Sequence, residues 1–276
     1  MPEVTIENKK INVKEESTIL EAAQKLGIWI PTLCFNKTLK PTSSCRLCMV
    51  EAELGGGRSK LVTACNYPVR KDLTVHVGSP RAVSARKGIM ELLLARSPDS
   101  AELKELAARM DVAGTSYPTV TESQRNCILC GLCVSVCEEV IGCSAIGFTG
   151  RGVDRTVATP FRLASEACIA CGACAMVCPV GTIQVRIHMD SGEAEISPFK
   201  SRSKLIICEE CGKRMVTEPV AAATMKKVNM DWEEFRRRAR MCPDCRRKHA
   251  AESLAFIATK KGSGIIQDEA RRPAYK

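Results

Sequence analysis

Seventeen of the 276 residues are cysteine, and sixteen of them fall into four groups of four. The groups are Cys34, Cys45, Cys48 and Cys65; Cys127, Cys130, Cys133 and Cys137; Cys168, Cys171, Cys174 and Cys178; and Cys208, Cys211, Cys242 and Cys245. Cys143 is left over. The first residues, Met1-Pro2-Glu3-Val4-Thr5-Ile6, lack the basic and apolar regions of an export signal. Cysteines kept in the reducing cytoplasm disfavour disulfides, and metal ligation is the usual reason for many thiols there. The grouping predicts four metal centres in a cytoplasmic protein.

The two middle groups each read C-x2-C-x2-C-x3-C, and the second ends in Cys178-Pro179. This is the bacterial dicluster ferredoxin pattern, in which three cysteines hold one [4Fe–4S] cube and the fourth reaches across to the other. One cluster is then expected on Cys127, Cys130, Cys133 and Cys178, and the other on Cys168, Cys171, Cys174 and Cys137. Gly131 and Gly172 follow the second cysteine of each run, where a backbone bending round a cluster profits from having no Cβ. The first run departs from the pattern, with Glu138 in place of proline. Tetrahedral zinc sites use pairs of knuckles rather than triplets, which argues against zinc here.

The first group reads C-x10-C-x2-C-x16-C, a longer-loop relative of the plant-type arrangement, and predicts one [2Fe–2S] cluster on Cys34, Cys45, Cys48 and Cys65. The fourth pairs Cys208-x2-Cys211 with Cys242-x2-Cys245 across thirty residues. Paired knuckles suit a four-cysteine zinc site. A single rubredoxin-like iron or a fourth iron–sulfur cluster fits the same spacing, although the aromatic residues expected around a rubredoxin iron are missing. Cys143 reads as a small buried hydrophobe. The three histidines, His76, His188 and His249, are scattered and read as surface or packing residues. No Walker loop, dinucleotide-binding glycine motif or catalytic triad pattern is present, so no catalytic residue is assigned.

The elements that must carry these ligands can be read around them. Val4-Thr5-Ile6 and Ile11-Asn12-Val13 form a short hairpin about Glu7-Asn8-Lys9-Lys10. Ser17 to Gly27 reads as a helix with a Ser/Thr start and a glycine stop, and Met49-Val50-Glu51 and Leu61-Val62-Thr63-Ala64 read as strands. Ala101 to Met110 reads as an amphipathic helix starting at Asp99 or Ser100, with Gly114 after its end. Only 4% of residues are aromatic, so a large aromatic core does not hold this chain together. No run of eighteen apolar residues offers a membrane span.

Charge adds little that is specific. The net charge is +10, and residues 201–276 hold 18 basic and 10 acidic side chains. Arg236-Arg237-Arg238 and Arg246-Arg247-Lys248 sit in expected helices, one of them starting near Asp231, where such runs are usually solvated faces. Few aromatics interleave with them, so a base-stacking surface for nucleic acid is not expected. Each all-thiolate centre carries about −2, so four of them reduce the surplus to roughly +2. Docking onto a partner subunit is the better use of this tail.

Residues 4–185 resemble the N-terminal electron-transfer part of the large iron–sulfur subunit of respiratory complex I. The same module occurs in the diaphorase small subunit of NAD-reducing hydrogenases, in iron-only hydrogenases and in NAD-linked formate dehydrogenases. The stretches that carry the resemblance are Ile30-Pro31-Thr32-Leu33-Cys34, Ser44-Cys45-Arg46-Leu47-Cys48-Met49-Val50-Glu51 and Ala64-Cys65-Asn66-Tyr67-Pro68-Val69. Glu91-Leu92-Leu93-Leu94-Ala95-Arg96, Asn126-Cys127-Ile128-Leu129-Cys130-Gly131 and Ala145-Ile146-Gly147-Phe148-Thr149-Gly150-Arg151-Gly152 complete them. In that family a histidine and three cysteines between the two cluster domains bind a further [4Fe–4S] cluster. Here Ser97 stands where the histidine would be expected and no cysteine occurs between Asn66 and Asn126, so that cluster is expected to be absent. The molybdopterin-type or hydrogenase catalytic domain that often follows is not expected in this chain.

The expected fold is therefore α+β: a β-grasp [2Fe–2S] ferredoxin domain over 1–78, a helical linker over 79–120 and a dicluster ferredoxin domain over 121–200. A four-cysteine, zinc-ribbon-like basic region follows over 201–276. The expected role is a non-catalytic iron–sulfur subunit carrying single electrons. The resemblance implies a flavin- and NAD(P)H-binding partner at one end. The other end would meet a formate dehydrogenase, hydrogenase or heterodisulfide-reductase-like component. A free-standing polyferredoxin is the alternative, ahead of a nucleic-acid-binding protein.

Overall fold

The computed structural model describes residues 1–120, 126–231, 233–235 and 240–260. They divide into two compact units, one of residues 1–188 with 195–202 and the other of 189–194 with the chain from 203 onward.

The first unit opens with strands β1 (Glu3–Ile6) and β2 (Lys9–Asn12), paired antiparallel. Their connection is only Glu7 and Asn8, both at positive φ, the geometry of a two-residue hairpin turn. Lys9 and Lys10, expected in the loop, are strand residues for that reason. Helix α1 (Ile19–Lys25) is held at its start by a capping box: Thr18 accepts the Glu21 N–H, and the Glu21 carboxylate accepts the Thr18 N–H. Its buried face, Ile19, Leu20, Ala22 and Ala23, packs on a sheet completed by β3 (Met49–Gly55), β4 (Arg58–Thr63) and β5 (Leu73–His76). The strand order is β2-β1-β5-β3-β4, with β1 and β5 parallel and the other pairs antiparallel. This is the β-grasp arrangement expected for the N-terminal domain.

Helix α2 (Pro80–Arg96) begins behind Ser79, whose hydroxyl accepts the Ala82 N–H. Its buried Arg86 donates to the carbonyls of Met49, at 3.0 Å, and Val77, at 2.8 Å. The helix is thereby fastened to the strand that leaves Cys48. Ser97 closes α2 fully buried, and its hydroxyl has no hydrogen-bond partner among the described residues. Helix α3 (Ala101–Arg109) starts at Ser100, which accepts the Leu103 N–H, and buries Leu103 and Ala107.

Beyond it come two short helices, α4 (Leu132–Ser135), continued by a π-turn over Val136–Ile141, and α5 (Ala173–Met176). Strands β6 (Gly147–Thr149) and β7 (Thr156–Ala158) pair between them. Strands β8 (Gln184–His188), β9 (Glu193–Ser197), β10 (Ser201–Ile207) and β11 (Arg214–Thr217) form a sheet in the order β11-β10-β9-β8.

The second unit holds β11, α6 (Glu218–Val228) and α7 (Pro243–Lys260). Asp231 accepts the Glu234 N–H at 2.8 Å, as a helix N-cap does, and residues 233–235 are helical. The run Arg236-Arg237-Arg238 lies outside the described residues, whereas Arg246, Arg247 and Lys248 are exposed on α7. Among the described residues, no helix is long and apolar enough to cross a membrane.

Candidate iron–sulfur and metal centres

The first tetrad lies where the loops on either side of β3 and β4 meet. Cys34, Cys45, Cys48 and Cys65 are all buried. The Cys45 N–H reaches Cys34 Sγ at 3.4 Å, and the Ser43 hydroxyl lies 3.5 Å from Cys65 Sγ. Ser43 and Arg46 both take positive φ, which turns the loop tightly enough to bring Cys45 and Cys48 to one side. The thiols of Cys45 and Cys65 point at Cys34 and push its pKa far down, while their own are pushed up. Cys48 is lowered by its contact with Cys65. Side-chain interactions thus link all four cysteines into one group.

The dicluster cysteines line two cavities. One, of 260 Å³, is lined by Cys127, Cys130 and Cys133 from the first run and by Cys178 from the second. The other, of 20 Å³, is lined by Cys168, Cys171 and Cys174 from the second run and by Cys137 from the first. The repeat extends to the backbone. Leu129 and Ala170 precede the second cysteine of each run at positive φ, and Gly131 and Gly172 follow it at φ +82° and +76°. A Cβ at Gly172 would stand 3.0 Å from Val185, so both shape and φ favour glycine there. Burial pushes Cys130 and Cys174 each up to about 12, and also raises Cys127, Cys133 and Cys168. These sulfurs favour the protonated form until a metal displaces the proton.

Two features here have no signature in the sequence. Arg96, the last residue of α2, donates to the carbonyls of Cys127, Val153 and Arg155 at 3.1–3.3 Å and so fixes the start of the first cysteine run. The Thr182 hydroxyl donates to the Asn126 carbonyl from the other side of the same segment. Cys143 differs from its expected place. It is half-buried and lines the second cavity beside Cys137, Cys168, Cys171 and Cys174, rather than sitting in an apolar core. Burial and the neighbouring cysteines Cys137, Cys171 and Cys168 push its thiol up.

The second unit carries the fourth tetrad. The ligand atoms of Cys208, Cys211, Cys242 and Cys245 all lie within 4.8 Å of one another, the one such group among the described residues. Cys208 Sγ accepts the Cys242 N–H at 3.2 Å, and Cys242 Sγ accepts the Cys245 N–H at 3.5 Å, so that a sulfur takes the N-cap place at α7. Such N–H bonds lower both pKa values, that of Cys208 to about 6. Lys213–Asp244, at 2.5 Å, and His249–Glu210, at 2.8 Å, join the two knuckles outside the sulfurs. His76 and His188 likewise pair with Glu53 and Glu195. None of the three histidines belongs to the four-sulfur group.

Comparison with known proteins agrees with this architecture. Residues 2–80 match the family described as 2Fe-2S iron-sulfur cluster binding domain, and residues 126–182 match the 4Fe-4S dicluster domain. The chain is 30% identical, over 88% of its length, to an NADH-quinone oxidoreductase subunit of Rhizobium meliloti, and covers 30% of that protein. It is 34% identical, over 66% of its length, to the NADPH-Fe(3+) oxidoreductase alpha subunit of Geobacter sulfurreducens, covering 24% of it. With the NADP-reducing hydrogenase subunit HndD of Solidesulfovibrio fructosivorans the identity is 33% over 65% of this chain and 35% of the relative. The chain thus spans between a quarter and about a third of the length of these relatives. Among solved structures, a chain of an NAD+-reducing [NiFe]-hydrogenase superposes with a TM-score of 0.50 at 27% identity, over 57% of this chain and 74% of that one. The chain therefore carries a 2Fe-2S cluster binding domain and a 4Fe-4S dicluster domain, and it is similar to iron–sulfur subunits of NADH-quinone oxidoreductase, NADPH-Fe(3+) oxidoreductase and NAD(P)-reducing hydrogenase.

Proposed function

We propose that this chain is the electron-carrying subunit of a cytoplasmic multi-subunit oxidoreductase. It passes single electrons between a flavin- and NAD(P)H-binding partner and a second redox partner of the formate dehydrogenase, hydrogenase or heterodisulfide-reductase-like kind. Cys34, Cys45, Cys48 and Cys65 hold a [2Fe–2S] cluster. Cys127, Cys130, Cys133 and Cys178 hold one [4Fe–4S] cluster, and Cys168, Cys171, Cys174 and Cys137 hold the other. When bound, such clusters accept and return one electron at a time, and full thiolate ligation leaves no open position for substrate.

The observation that carries this reading is the continuity of the packing. Cys34 and Cys45 share one buried cluster with Met90, Leu94, Leu103 and Cys130. Cys133, one turn from Cys130, belongs to the next buried cluster, against which Cys137, Cys168, Cys174 and Cys178 pack. The three cysteine sets thus follow one another through apolar core, and Cys171, exposed, brings the line to the surface. Burial excludes water from the four cysteines of the first tetrad and from Cys130 and Cys133, and the backbone N–H groups of Cys45 and Ala145 withdraw charge from Cys34 and Cys137. Both effects tune reduction potential.

The fourth tetrad is assigned to structural zinc. With Zn–S bonds of about 2.3 Å, a tetrahedral site has sulfurs about 3.8 Å apart. Cys211 and Cys242 stand at 3.7 Å, and no pair in the group exceeds 4.8 Å. A single ion suits that spacing, while a cluster of several irons needs its ligands farther apart.

The test is anaerobic purification of the chain, tagged in its native host. The reading expects a flavin-containing subunit to accompany it and NAD(P)H to bleach the cluster absorption of the complex. A chain that purifies alone and that NAD(P)H leaves oxidised would be a free-standing polyferredoxin instead.

A further inference from the structure

Five thiols, not four, surround the second dicluster cavity. Cys143 reaches it from the turn that follows the π-turn over Val136–Ile141, after Gly142 at φ +81°. The Cys143 N–H donates to the Cys137 carbonyl at 3.0 Å, and the Ser144 N–H reaches the same oxygen at 3.3 Å. Ala145 N–H then reaches Cys137 Sγ at 3.4 Å. The turn is therefore wrapped around Cys137, and both side chains line the same space. The first cavity has its four cysteines and, among the described residues, no fifth. A π-turn carries an extra residue relative to an α-helical turn and is frequent at functional sites. Here it supplies slack next to a ligand.

We propose that Cys143 is a second ligand position for the iron assigned to Cys137. The second dicluster centre can then exchange one thiolate for the other without losing iron. This rests on the ligand assignment given under the proposed function. In the exchange the Fe–S bond to Cys137 breaks and one to Cys143 forms. The proton of the Cys143 thiol ends on the Cys137 sulfur, and no electron is gained or lost. Cys143 serves as reserve, because a four-coordinate iron takes one of the two thiolates at a time.

The experiment uses the full chain, purified anaerobically, with Cys143→Ala, Cys137→Ala and the double substitution. Iron per chain, the EPR spectrum after dithionite and the alkylation of Cys143 by iodoacetamide are measured. Cys143→Ala should keep all its iron. Cys137→Ala should also keep its iron, with an altered EPR signal and Cys143 newly protected from alkylation. The double substitution should lose about four iron atoms. If Cys137→Ala alone loses about four and leaves Cys143 open to alkylation, the reserve role is wrong while the assignment of Cys137 stands. A double variant that keeps all its iron would overturn the assignment itself. Should Cys137→Ala yield no folded chain, judged by the [2Fe–2S] absorption, Cys137→Ser provides the same comparison with less change in volume. Cys143 protected in that background and exposed in the unsubstituted protein supports the exchange, and equal alkylation in both contradicts it.

Discussion

Cys178 is the residue on which the crossed arrangement can be tested most cleanly. It belongs by sequence to the second run, yet it lines the cavity of Cys127, Cys130 and Cys133. Cys178→Ala should remove about four iron atoms, because no spare thiol among the described residues lines that cavity. The [2Fe–2S] signal and that of the Cys168, Cys171 and Cys174 centre should survive, as EPR of the reduced protein would show. The spacing C-x2-C-x2-C-x3-C, repeated twice, predicts these groupings only through the dicluster ferredoxin pattern, in which the fourth cysteine of each run reaches across to the other cluster. Spacing does not reveal Cys143, whose place depends on a turn back over Cys137. Nor does it reveal Arg96, which acts by donating to carbonyls, and every residue has a carbonyl.

At the scale of elements, α2 anchors the [2Fe–2S] loop through buried Arg86. Arg86→Met keeps the apolar stem but strands the Met49 and Val77 carbonyls. It should cost about 2–3 kcal/mol in denaturant unfolding of the loaded protein. Iron should also leave the first tetrad faster under a chelator, because Met49 follows Cys48 directly; unchanged stability would mean the bonds contribute nothing. Helices α1 and α3 are legible in the sequence because their caps are local: Thr18 with Glu21, and Ser100 with Leu103. The β1–β2 turn reads two residues too long, since Lys9 and Lys10 look like loop until Glu7 and Asn8 are seen at positive φ. Strand β5 and the sheet from β8 to β11 lack such local signals. Their pairing is between distant segments, as in the parallel contact of Val4 with Leu73.

At the scale of the whole molecule, the two units are stabilised differently. The first has an extended apolar core, whereas the core around the fourth tetrad consists of Cys208, Cys242 and Cys245, packed with Met215 and Met241. So little apolar surface makes the metal a main source of folding free energy there. Substituting Cys242 and Cys245 together by Ser should therefore open this region to limited proteolysis. The three iron–sulfur spectra should persist, because their assigned ligands all precede it. Loss of an EPR-active centre in that variant would make the tetrad a redox site.

As proposed, the protein carries three iron–sulfur centres in succession and one structural metal ion. Native mass spectrometry of the full chain, purified without oxygen, reads that inventory directly. The bound mass should equal one [2Fe–2S] cluster, two [4Fe–4S] clusters and one zinc ion, about ten iron atoms in all. Bound mass corresponding to about fourteen iron atoms and no zinc would contradict it.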